Sequence, residues 1–323
     1  MRVTVTGGAG FIGSNVVDRL LGAGHEVVAL DNLSTGHRPF LNEAVKHPAF
    51  RFEEVDLPEA GDDVGKLVRG SDAIVHLAAN ADVRFGWDDP DRDLRQNVVA
   101  THRMLEAARR EGVPRFVFSS TGSVYGEAAV IPTPEDCPFP VQTSLYGASK
   151  LAAEGLIQAY AEGAGLRTTI FRFVSVLGAR YTHGHVIDFV RALRRNPRVL
   201  RILGDGTQRK SYLDVHDCVD AIAMALDDDR LNGTFNLGVD DSCLITESAR
   251  WICERLGVDP AFEFTGGDRG WIGDNPYIHL DPRRMQALGW QPAYSIRSSV
   301  ERTVDWLVSE PWVLDLPDPR RHA

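Results

Sequence analysis

Short apolar runs alternate with helical patterns along the first half of the chain. The run Val3–Thr6 is typical of a buried strand, and Ile12, Val16 and Leu20 then recur at the spacing of one helix face. Strands are likewise predicted at Glu26–Leu30, Arg51–Val55, Ala73–Leu77 and Arg115–Ser119, and helices at Pro58–Arg69 and Leu94–Arg110. Strands joined by crossover helices form a parallel sheet with helices on both faces. The pattern therefore predicts a doubly wound α/β fold.

The second half of the chain has a more mixed pattern. Its helical segments are separated by short strand-like runs and by loops rich in Gly and Pro, and they are predicted at Ser144–Glu162, Val186–Arg195, His216–Leu226, Ile245–Leu256 and Ile296–Leu307. We predict a first domain of residues 1–172 and a smaller, mixed α/β domain of residues 173–315 that is partly interleaved with it. The polar segment 316–323 is expected to be a frayed tail.

Composition and charge narrow the function classes. The 323 residues are 43% hydrophobic and 25% charged, as in an ordinary globular protein. A formal net charge of −10 argues against nucleic-acid or anionic membrane partners, because these require a positive field. A small anionic ligand stays possible, since it responds to local donors.

Cysteine usage and hydropathy bear on the compartment. The four cysteines form no CxxC pair, and no apolar stretch approaches the ~18 residues of a membrane helix. The chain enters a strand-like run directly after Met1, which leaves no room for a signal peptide. We expect free thiols and a cytoplasmic protein. His183 and His185 have no further ligand at metal-binding spacing, so no metal site is predicted.

A glycine-rich loop follows the first predicted strand. Gly7, Gly10 and Gly13 form a GxxGxxG spacing that opens the first helix. Such glycines permit a tight turn, close approach of a pyrophosphate and close packing of helix on sheet. Asp31 ends the second predicted strand, where a carboxylate accepts hydrogen bonds from a ribose diol and repels a 2′-phosphate. The pattern favours NAD over NADP, a preference that Arg38 nearby would weaken.

A tyrosine and a lysine supply candidate chemistry. Tyr146 and Lys150 lie at i and i+4 of a predicted helix, on the same face. A free tyrosine has a pKa near ~10 and is a poor base at neutral pH. A neighbouring ammonium and an oxidised nicotinamide would favour the phenolate and create a general base. Upstream, Thr121 follows a strand whose carboxyl end is a ligand-binding position, so its hydroxyl is placed to bond a substrate alcohol.

Jointly, these motifs resemble those of the extended short-chain dehydrogenase/reductases, specifically the nucleotide-sugar epimerase/dehydratase family. The resemblance spans essentially the whole chain. It rests on Thr6–Gly13, Asp31–Gly36, Val55–Leu57, His76–Ala79, Asn97–Val98, Ser119–Gly126, Tyr146–Lys150 and Gly204–Gly206. It implies a Rossmann-like NAD-binding domain, a smaller substrate domain, and an enzyme that acts on a nucleotide-diphosphate sugar.

The resemblance also implies roles for individual residues. Tyr146 corresponds to the acid/base, Lys150 to the residue that holds the nicotinamide ribose, and Thr121 to the hydroxyl that assists proton transfer. Asp56 corresponds to the residue that holds the adenine. The cofactor-binding positions implied in this way are Gly7, Gly10, Phe11, Ile12, Gly13, Asp31, Asn32, Ser34, Thr35, Gly36, Asp56, Leu57, Leu77, Ala78, Ala79, Asn97, Ser119, Tyr146, Lys150 and Phe173.

The residues after Thr121 distinguish branches of the family. Members that are 4,6-dehydratases have Asp-Glu there, and decarboxylases carry a glutamate at the second position, whereas this chain has Gly122 and Ser123. Elimination without those carboxylates lacks its general acid and base. The resemblance therefore favours a 4-epimerase of the UDP-glucose/UDP-galactose type, which works through a transient 4-keto sugar and tightly bound NAD.

The substrate-binding positions depart in part from the family pattern. Ser175 stands where an asparagine is usual, and Lys210 where an arginine is usual. The positions implied for the substrate are Arg84, Thr121, Gly122, Ser123, Tyr146, Ser175, Lys210, Arg269 and Asp274.

Other functions stay open at this point. Arg84 resembles an arginine of UDP-glucuronate 4-epimerases, so a C6 carboxylate is an alternative if Arg84 or Arg180 faces the substrate. A nucleotide-sugar dehydratase or reductase and a non-catalytic NAD-binding regulator are further alternatives. The family resemblance also implies a homodimer formed through the helices at Leu94–Arg110 and Ser144–Glu162.

Overall fold

The computed structural model describes residues 1–61, 63–83, 86–139, 141–267, 269–270, 275 and 277–317. The chain divides into two compact units, and the segments of the two units alternate along the sequence. The first consists of Met1–Val124, Leu145–Arg172 and Cys218–Phe235, and the second of Tyr125–Ser144, Phe173–Asp217 and Asn236–Ala323.

The strands are short. In chain order they are β1 Arg2–Thr6, β2 Glu26–Asp31, β3 Phe50–Glu54, β4 Ala73–His76, β5 Arg115–Thr121, β6 Arg167–Phe173, β7 Ser175–Leu177, β8 Val199–Ile202, β9 Arg209–Lys210, β10 Tyr212–Asp214, β11 Gly233–Leu237, β12 Cys243–Leu244, β13 Ala261–Phe264 and β14 Tyr277–Ile278.

The helices fall between these strands. They are α1 Phe11–Gly22, α2 Asp63–Val68, α3 Pro90–Asp93, α4 Ala100–Glu111, α5 Leu145–Ala164, α6 His185–Arg195, α7 Val215–Asp227, α8 Ile245–Leu256, α9 Arg283–Gln286, α10 Ile296–Ser309 and α11 Pro311–Leu314. A π-helical segment, Leu94–Val99, joins α3 to α4, and a 3₁₀ turn, Gly122–Tyr125, follows β5.

A seven-stranded sheet has the order β11-β6-β5-β4-β1-β2-β3. Strand β1 pairs in parallel with β2 and β4, β2 with β3, and β4 with β5. The chain moves outward from β1 in one direction and then in the other, so the order reverses between β1 and β4. Open α/β sheets bind ligands at the carboxyl ends of the strands beside such a reversal. The prediction of a doubly wound, Rossmann-like sheet is confirmed.

Apolar side chains from both faces of this sheet form the core of the first unit. All four residues of β4 are buried, as expected for a central parallel strand covered on both faces. One core cluster combines β2, β4, α4, β5 and α5, and its largest members include Leu30, Ile74, Met104, Leu105, Phe116, Phe118 and Ile157. This packing holds the strand ends in a rigid frame.

The second unit contains small sheets and a helical layer. Strand β10 pairs with β7, β13 with β8, and β9 lies between β12 and β14. Helix α10 packs against α6 and α8. All four cysteines are buried, and none of them forms a disulfide bond within the described residues. Among the described residues, no helix has both the length and the apolar content to cross a membrane.

Candidate active site

The glycine loop after β1 is closely packed. Gly7 has a φ of 67°, and a Cβ there would lie 2.8 Å from the backbone nitrogen of Ala78, in the loop after β4. A Cβ at Gly13 would lie 2.0 Å from the carbonyl oxygen of Gly7. Position 7 therefore requires glycine for its backbone conformation and for space, and position 13 requires glycine for space.

Helix α1 begins beside this loop. Gly10 occupies its N-cap position, and within the described residues no side chain caps the helix there. The first N–H groups of a helix have no partner inside the helix and attract anions. Backbone donors without a capping side chain fit the pyrophosphate of NAD.

Thr6 fixes the loop that follows β4. Its hydroxyl accepts hydrogen bonds from the backbone N–H groups of Leu77 and Ala78, each at 3.1 Å, and lies 2.7 Å from Nδ1 of His76. Burial lowers the pKa of His76 to about 3, so the imidazole is neutral at physiological pH. The predicted positions Leu77 and Ala78 are thereby held beside the glycine loop.

Asp31 lies at the end of β2 and is buried. Its carboxylate accepts the N–H of Ala9 at 2.9 Å and the N–H of Leu33 at 2.8 Å. Burial raises the pKa of Asp31, and these two backbone donors oppose that effect. A carboxylate has lone pairs beyond these two bonds, so it retains capacity to accept a ribose hydroxyl.

A polar network connects the ends of β2 and β3. The Nδ2 group of Asn32 donates to Asp56 at 2.9 Å, and its Oδ1 accepts from the backbone and the hydroxyl of Ser34. Gly36 packs against Asp31, because a Cβ there would lie 2.7 Å from the carboxylate. Polar residues predicted from motifs thus converge at one edge of the sheet.

Tyr146 and Thr121 meet at the carboxyl end of β5. Tyr146 is partly buried in the first turn of α5, and its side chain is hydrogen-bonded to Thr121. The Thr121 and Ser123 hydroxyl oxygens lie 3.2 Å apart, and the Thr121 hydroxyl accepts the Ser123 N–H at 3.1 Å. The two predicted catalytic hydroxyls are therefore adjacent.

Burial raises the pKa of Tyr146 to about 12, and the charges of Asp93 and Asp82 act in the same direction. The hydrogen bond from Thr121 opposes them. The sequence-based expectation is a pKa lowered by the Lys150 ammonium together with an oxidised nicotinamide. Among the groups of the protein itself, burial and two carboxylates raise the pKa of Tyr146, so these groups favour the neutral phenol.

Lys150 is almost fully buried one helical turn after Tyr146. Its Nζ donates to the carbonyl oxygen of Ser119 at 2.9 Å and lies 4.7 Å from the centre of the Phe118 ring. Burial lowers the pKa of Lys150 to about 7, while the carboxylates of Glu154 and Asp93 oppose that shift. A buried amine that titrates near neutral pH, in contact with a strand end, is typical of a functional site.

The amide of Asn97 makes its described contacts within the protein. Its Oδ1 accepts the backbone N–H of Asn80 at 2.9 Å, and its Nδ2 donates to Ser149 at 2.8 Å and to Asp93 at 3.2 Å. Sequence reasoning placed this side chain at the cofactor side of the cleft, and this stays a prediction. In the structure the side chain joins the loop after β4 to helix α5.

Three buried polar residues near Tyr146 and Lys150 were missed by sequence reasoning: Asn80, Asp93 and Glu154. Asp93 lies just before the predicted helix at Leu94, and Glu154 lies one turn beyond Lys150. The i+4 spacing from Lys150 was a signal for Glu154, whereas nothing local distinguishes Asp93 from the exposed acids around it.

The predicted substrate residues beyond β6 belong to the second unit. Ser175 is exposed on β7, and Lys210 donates to the backbone carbonyl of Asn275. The predicted cofactor residue Phe173, at the end of β6, is buried. Arg269 is exposed and paired with Glu127. Arg180 is partly buried with a φ of 71°. The predicted positions Arg84 and Asp274 lie outside the described residues.

A family model matches most of the chain. The model of the NAD dependent epimerase/dehydratase family covers residues 3–238. A UDP-glucose 4-epimerase of Mycolicibacterium smegmatis is 37% identical over 313 residues, which is 95% of this chain and 98% of that protein.

Solved structures with the same fold include two kinds of epimerase. A UDP-galactose 4-epimerase is 40% identical with a TM-score of 0.86, covering 97% of this chain and 100% of the other. A UDP-glucuronic acid 4-epimerase from Bacillus cereus, solved with UDP-glucuronic acid and NAD, is 26% identical with a TM-score of 0.88, covering 96% of this chain and 100% of the other.

Proposed function

The chain belongs to the NAD dependent epimerase/dehydratase family, and from that premise we propose that it is an NAD-dependent 4-epimerase of a UDP-sugar. The substrates are of the UDP-glucose and UDP-galactose type. The reaction inverts C4 through a transient 4-keto sugar and consumes no cofactor.

One observation supports this proposal more than the others. Tyr146 and Thr121 form a hydroxyl pair beside the buried Lys150, and the positions after Thr121 are Gly122 and Ser123 rather than carboxylates. This set can take a proton from an alcohol and return it. It lacks the extra acid and base that removal of water requires.

Tyr146 is the proposed acid/base. Its phenolate oxygen takes the proton of the C4 hydroxyl, and Thr121 donates a hydrogen bond that stabilises the phenolate. After the sugar turns over, the same tyrosine returns the proton to the C4 oxygen. One residue can therefore serve both directions.

Bound NAD supplies the hydride acceptor and, once reduced, the hydride donor, and its oxidised ring adds positive charge near the phenol. We propose that Lys150 holds the nicotinamide ribose and that Asp31 accepts the adenosine ribose hydroxyls. Asp56 and Asn32 line the adenine end, and the N–H groups after Gly10 bind the pyrophosphate.

We assign the two parts of the chain different roles. Residues 1–172 bind NAD, and residues 173–315 bind the nucleotide part of the substrate. Lys210 and Arg269 are the proposed partners of the diphosphate, and Ser175 is a further polar contact. Lysine contributes a point charge where arginine would form two parallel bonds, so contact at Lys210 is less directional. We further propose a cytoplasmic homodimer.

The proposal is tested by incubating the purified protein with UDP-glucose and, separately, with UDP-galactose. Both reactions should reach the same mixture of the two sugars, with no change in mass and no free NADH. Loss of water, detected by mass spectrometry, would indicate a dehydratase, and accumulating NADH would indicate a net oxidation.

The assigned base has its own test. Tyr146→Phe removes the phenolic oxygen, so kcat should fall by about 10²–10⁴-fold, the usual contribution of a general acid/base. The NAD content per chain should persist, since the ring remains. Wild-type turnover in this variant would remove Tyr146 from the mechanism.

A second candidate substrate is UDP-glucuronate. The fold similarity to a UDP-glucuronic acid 4-epimerase, with a TM-score of 0.88, favours including it. A C6 carboxylate requires a cation that a C6 hydroxyl does not. Comparison of kcat/KM for UDP-glucuronate and UDP-glucose decides between them, and a higher value for the acid would replace the first proposal.

A further inference from the structure

A buried carboxylate lies behind the proposed catalytic residues. Asp93 is 1% exposed and ends helix α3, where the π-helical segment begins. Its Oδ1 accepts the side-chain amides of Asn80 at 2.8 Å and Asn97 at 3.2 Å. These bonds tie it to the loop after β4 and to the π-helical segment.

The network continues to helix α5. The Asn97 amide also donates to Ser149, and Ser149 donates to the backbone carbonyl of Tyr146 at 2.8 Å. Asp93 is therefore connected, through Asn97, to the first turn of the helix that carries Tyr146 and Lys150. π-helical segments of this kind occur often at functional sites.

The second carboxylate oxygen is unusual. Among the described residues, Oδ2 of Asp93 has no hydrogen-bond partner although it is buried. A Cβ at Gly86 would lie 3.0 Å from it and 3.1 Å from the Cβ of Leu145. A buried carboxylate oxygen with no partner among the described residues is costly in free energy, and such a group calls for an explanation.

We propose that Asp93 is a positioning residue of the catalytic site. Its carboxylate holds Asn80 and Asn97 in place at the cofactor side, and its negative charge helps the buried Lys150 ammonium to stay charged. This inference rests on the proposed roles of Tyr146 and Lys150.

The charged groups around Asp93 and Lys150 determine in which direction the pKa values should change. The groups that face Lys150 are Asp93, the neutral imidazole of His76, and Glu154. The charge of Glu154 is neutralised by Arg172. Asp93 also faces Arg92 and Asp89 of its own segment. Its negative charge raises the pKa of Tyr146, as the charge of Asp82 does. Loss of the Asp93 charge should therefore lower the pKa of both Lys150 and Tyr146.

The test is a pH titration by NMR of protein labelled on its lysine side chains, with NAD bound as purified. The chain has only four lysines, so few signals overlap: Lys46, Lys66, Lys150 and Lys210. The Lys150→Met variant identifies the signal of Lys150. Asp93→Asn keeps an acceptor oxygen and removes the charge. The Lys150 pKa should fall by about one pH unit, the lower range for loss of a nearby opposite charge.

A matched control is Asp91→Asn, which removes an exposed carboxylate from the same helix α3 and should leave the Lys150 titration unchanged. An Asp93→Asn protein that titrates as wild type does would overturn the charge role. So would a lower kcat at every pH with no shift of the pH profile, because this is the result of a merely structural defect.

Asp93→Ser tests the positioning role and also serves if Asp93→Asn does not fold. It removes the charge, replaces the carboxylate by a shorter hydroxyl, and leaves room for water. The affinity for NAD should fall by about tenfold, as expected for a lost bond to a charged group. Unchanged NAD affinity would overturn the positioning role. The lysine titration and the NAD affinity use no sugar, so these two results stand or fall separately from the proposed substrate.

Discussion

The protonation of Tyr146 results from opposing effects on a single phenol. Burial, Asp93 and Asp82 raise its pKa to about 12, and the hydrogen bond of Thr121 lowers it. The proposed base acts as the phenolate, so activity should increase with pH up to the pKa that applies with NAD bound. A positively charged nicotinamide, when bound, would lower that pKa.

Thr121→Val should shift this pH dependence upward. The substitution removes a donor to the phenolate, which raises the pKa of Tyr146 and lowers the fraction ionised at any given pH. The acidic limb of the kcat profile should move to higher pH by roughly one unit. Thr207→Val, the same change in an exposed loop, is the control. If both variants keep the wild-type limb, Thr121 does not act on the base.

At the scale of elements, the β1–loop–α1 segment depends on local geometry. The loop turns at Gly7 and helix α1 begins at Phe11, which brings the Cα of Gly13 against the Gly7 carbonyl. There is no side chain to move in this contact, because backbone meets backbone. The third glycine of the motif is thus required for packing even before any ligand binds.

Gly13→Ala should destabilise the protein and weaken NAD binding. Its Cβ would lie 2.0 Å from the Gly7 oxygen, and such overpacking typically costs about 1–3 kcal/mol. Gly22→Ala is the matched control in the same helix, since nothing in the described part of the chain lies within 4 Å of its Cβ. Thermal unfolding and NAD titration of both variants check this, and equal stability would contradict it.

Helix α5 is joined to the sheet by a buried ion pair. Arg172 on β6 donates to Glu154 at 2.7 Å, and the two side chains are 3% and 2% exposed. Ser120 on β5 also donates to Glu154. These contacts hold the helix that carries Tyr146 and Lys150 at a defined distance from β5.

Arg172→Met should be strongly destabilising, because Glu154 then remains buried without a counter-charge. Removal of one partner of a buried pair costs about 3–5 kcal/mol. Arg172→Met combined with Glu154→Gln should recover part of that loss. Arg255→Met breaks an exposed pair with Asp305 and should cost far less. Denaturant unfolding measures the stability of all these variants. If adding Glu154→Gln to Arg172→Met recovers no stability, the charge argument is refuted.

At the scale of the whole molecule, the net charge of −10 contrasts with the anionic ligand proposed here. Under the proposed function, the diphosphate of NAD would bind local donors at the start of α1, and the diphosphate of the substrate would bind a few cations such as Lys210 and Arg269. The surplus of acidic residues keeps the surface soluble rather than selecting the ligand.

The proposed homodimer predicts a solution mass of twice 35.6 kDa. Leu94 begins one of the two helical segments implied for the interface and is 54% exposed in the single chain. Exposed apolar side chains on such a segment favour burial against a second copy. Sedimentation equilibrium checks the mass, and Leu94→Glu should shift the protein toward monomer. A monomeric wild-type protein at all concentrations would contradict the proposal.

The sequence alone determined the features that depend on short spacings. Each of these features involves residues within a few turns of one another. They are the alternation of strands and helices, the glycine loop before α1, Asp31 at the end of β2, and the Tyr146–Lys150 spacing. Their geometry follows from the periods of helix and strand, so the pattern predicts them directly.

Only the tertiary structure decided which polar residues are buried together. Asp93, Asn80 and Glu154 come from different segments, and their burial depends on which faces the other elements cover. The pKa values of Tyr146 and Lys150 follow from that burial and from charges distant in sequence. Electrostatic effects of this kind depend on three-dimensional distances and on the exclusion of water, and spacing along the chain determines neither.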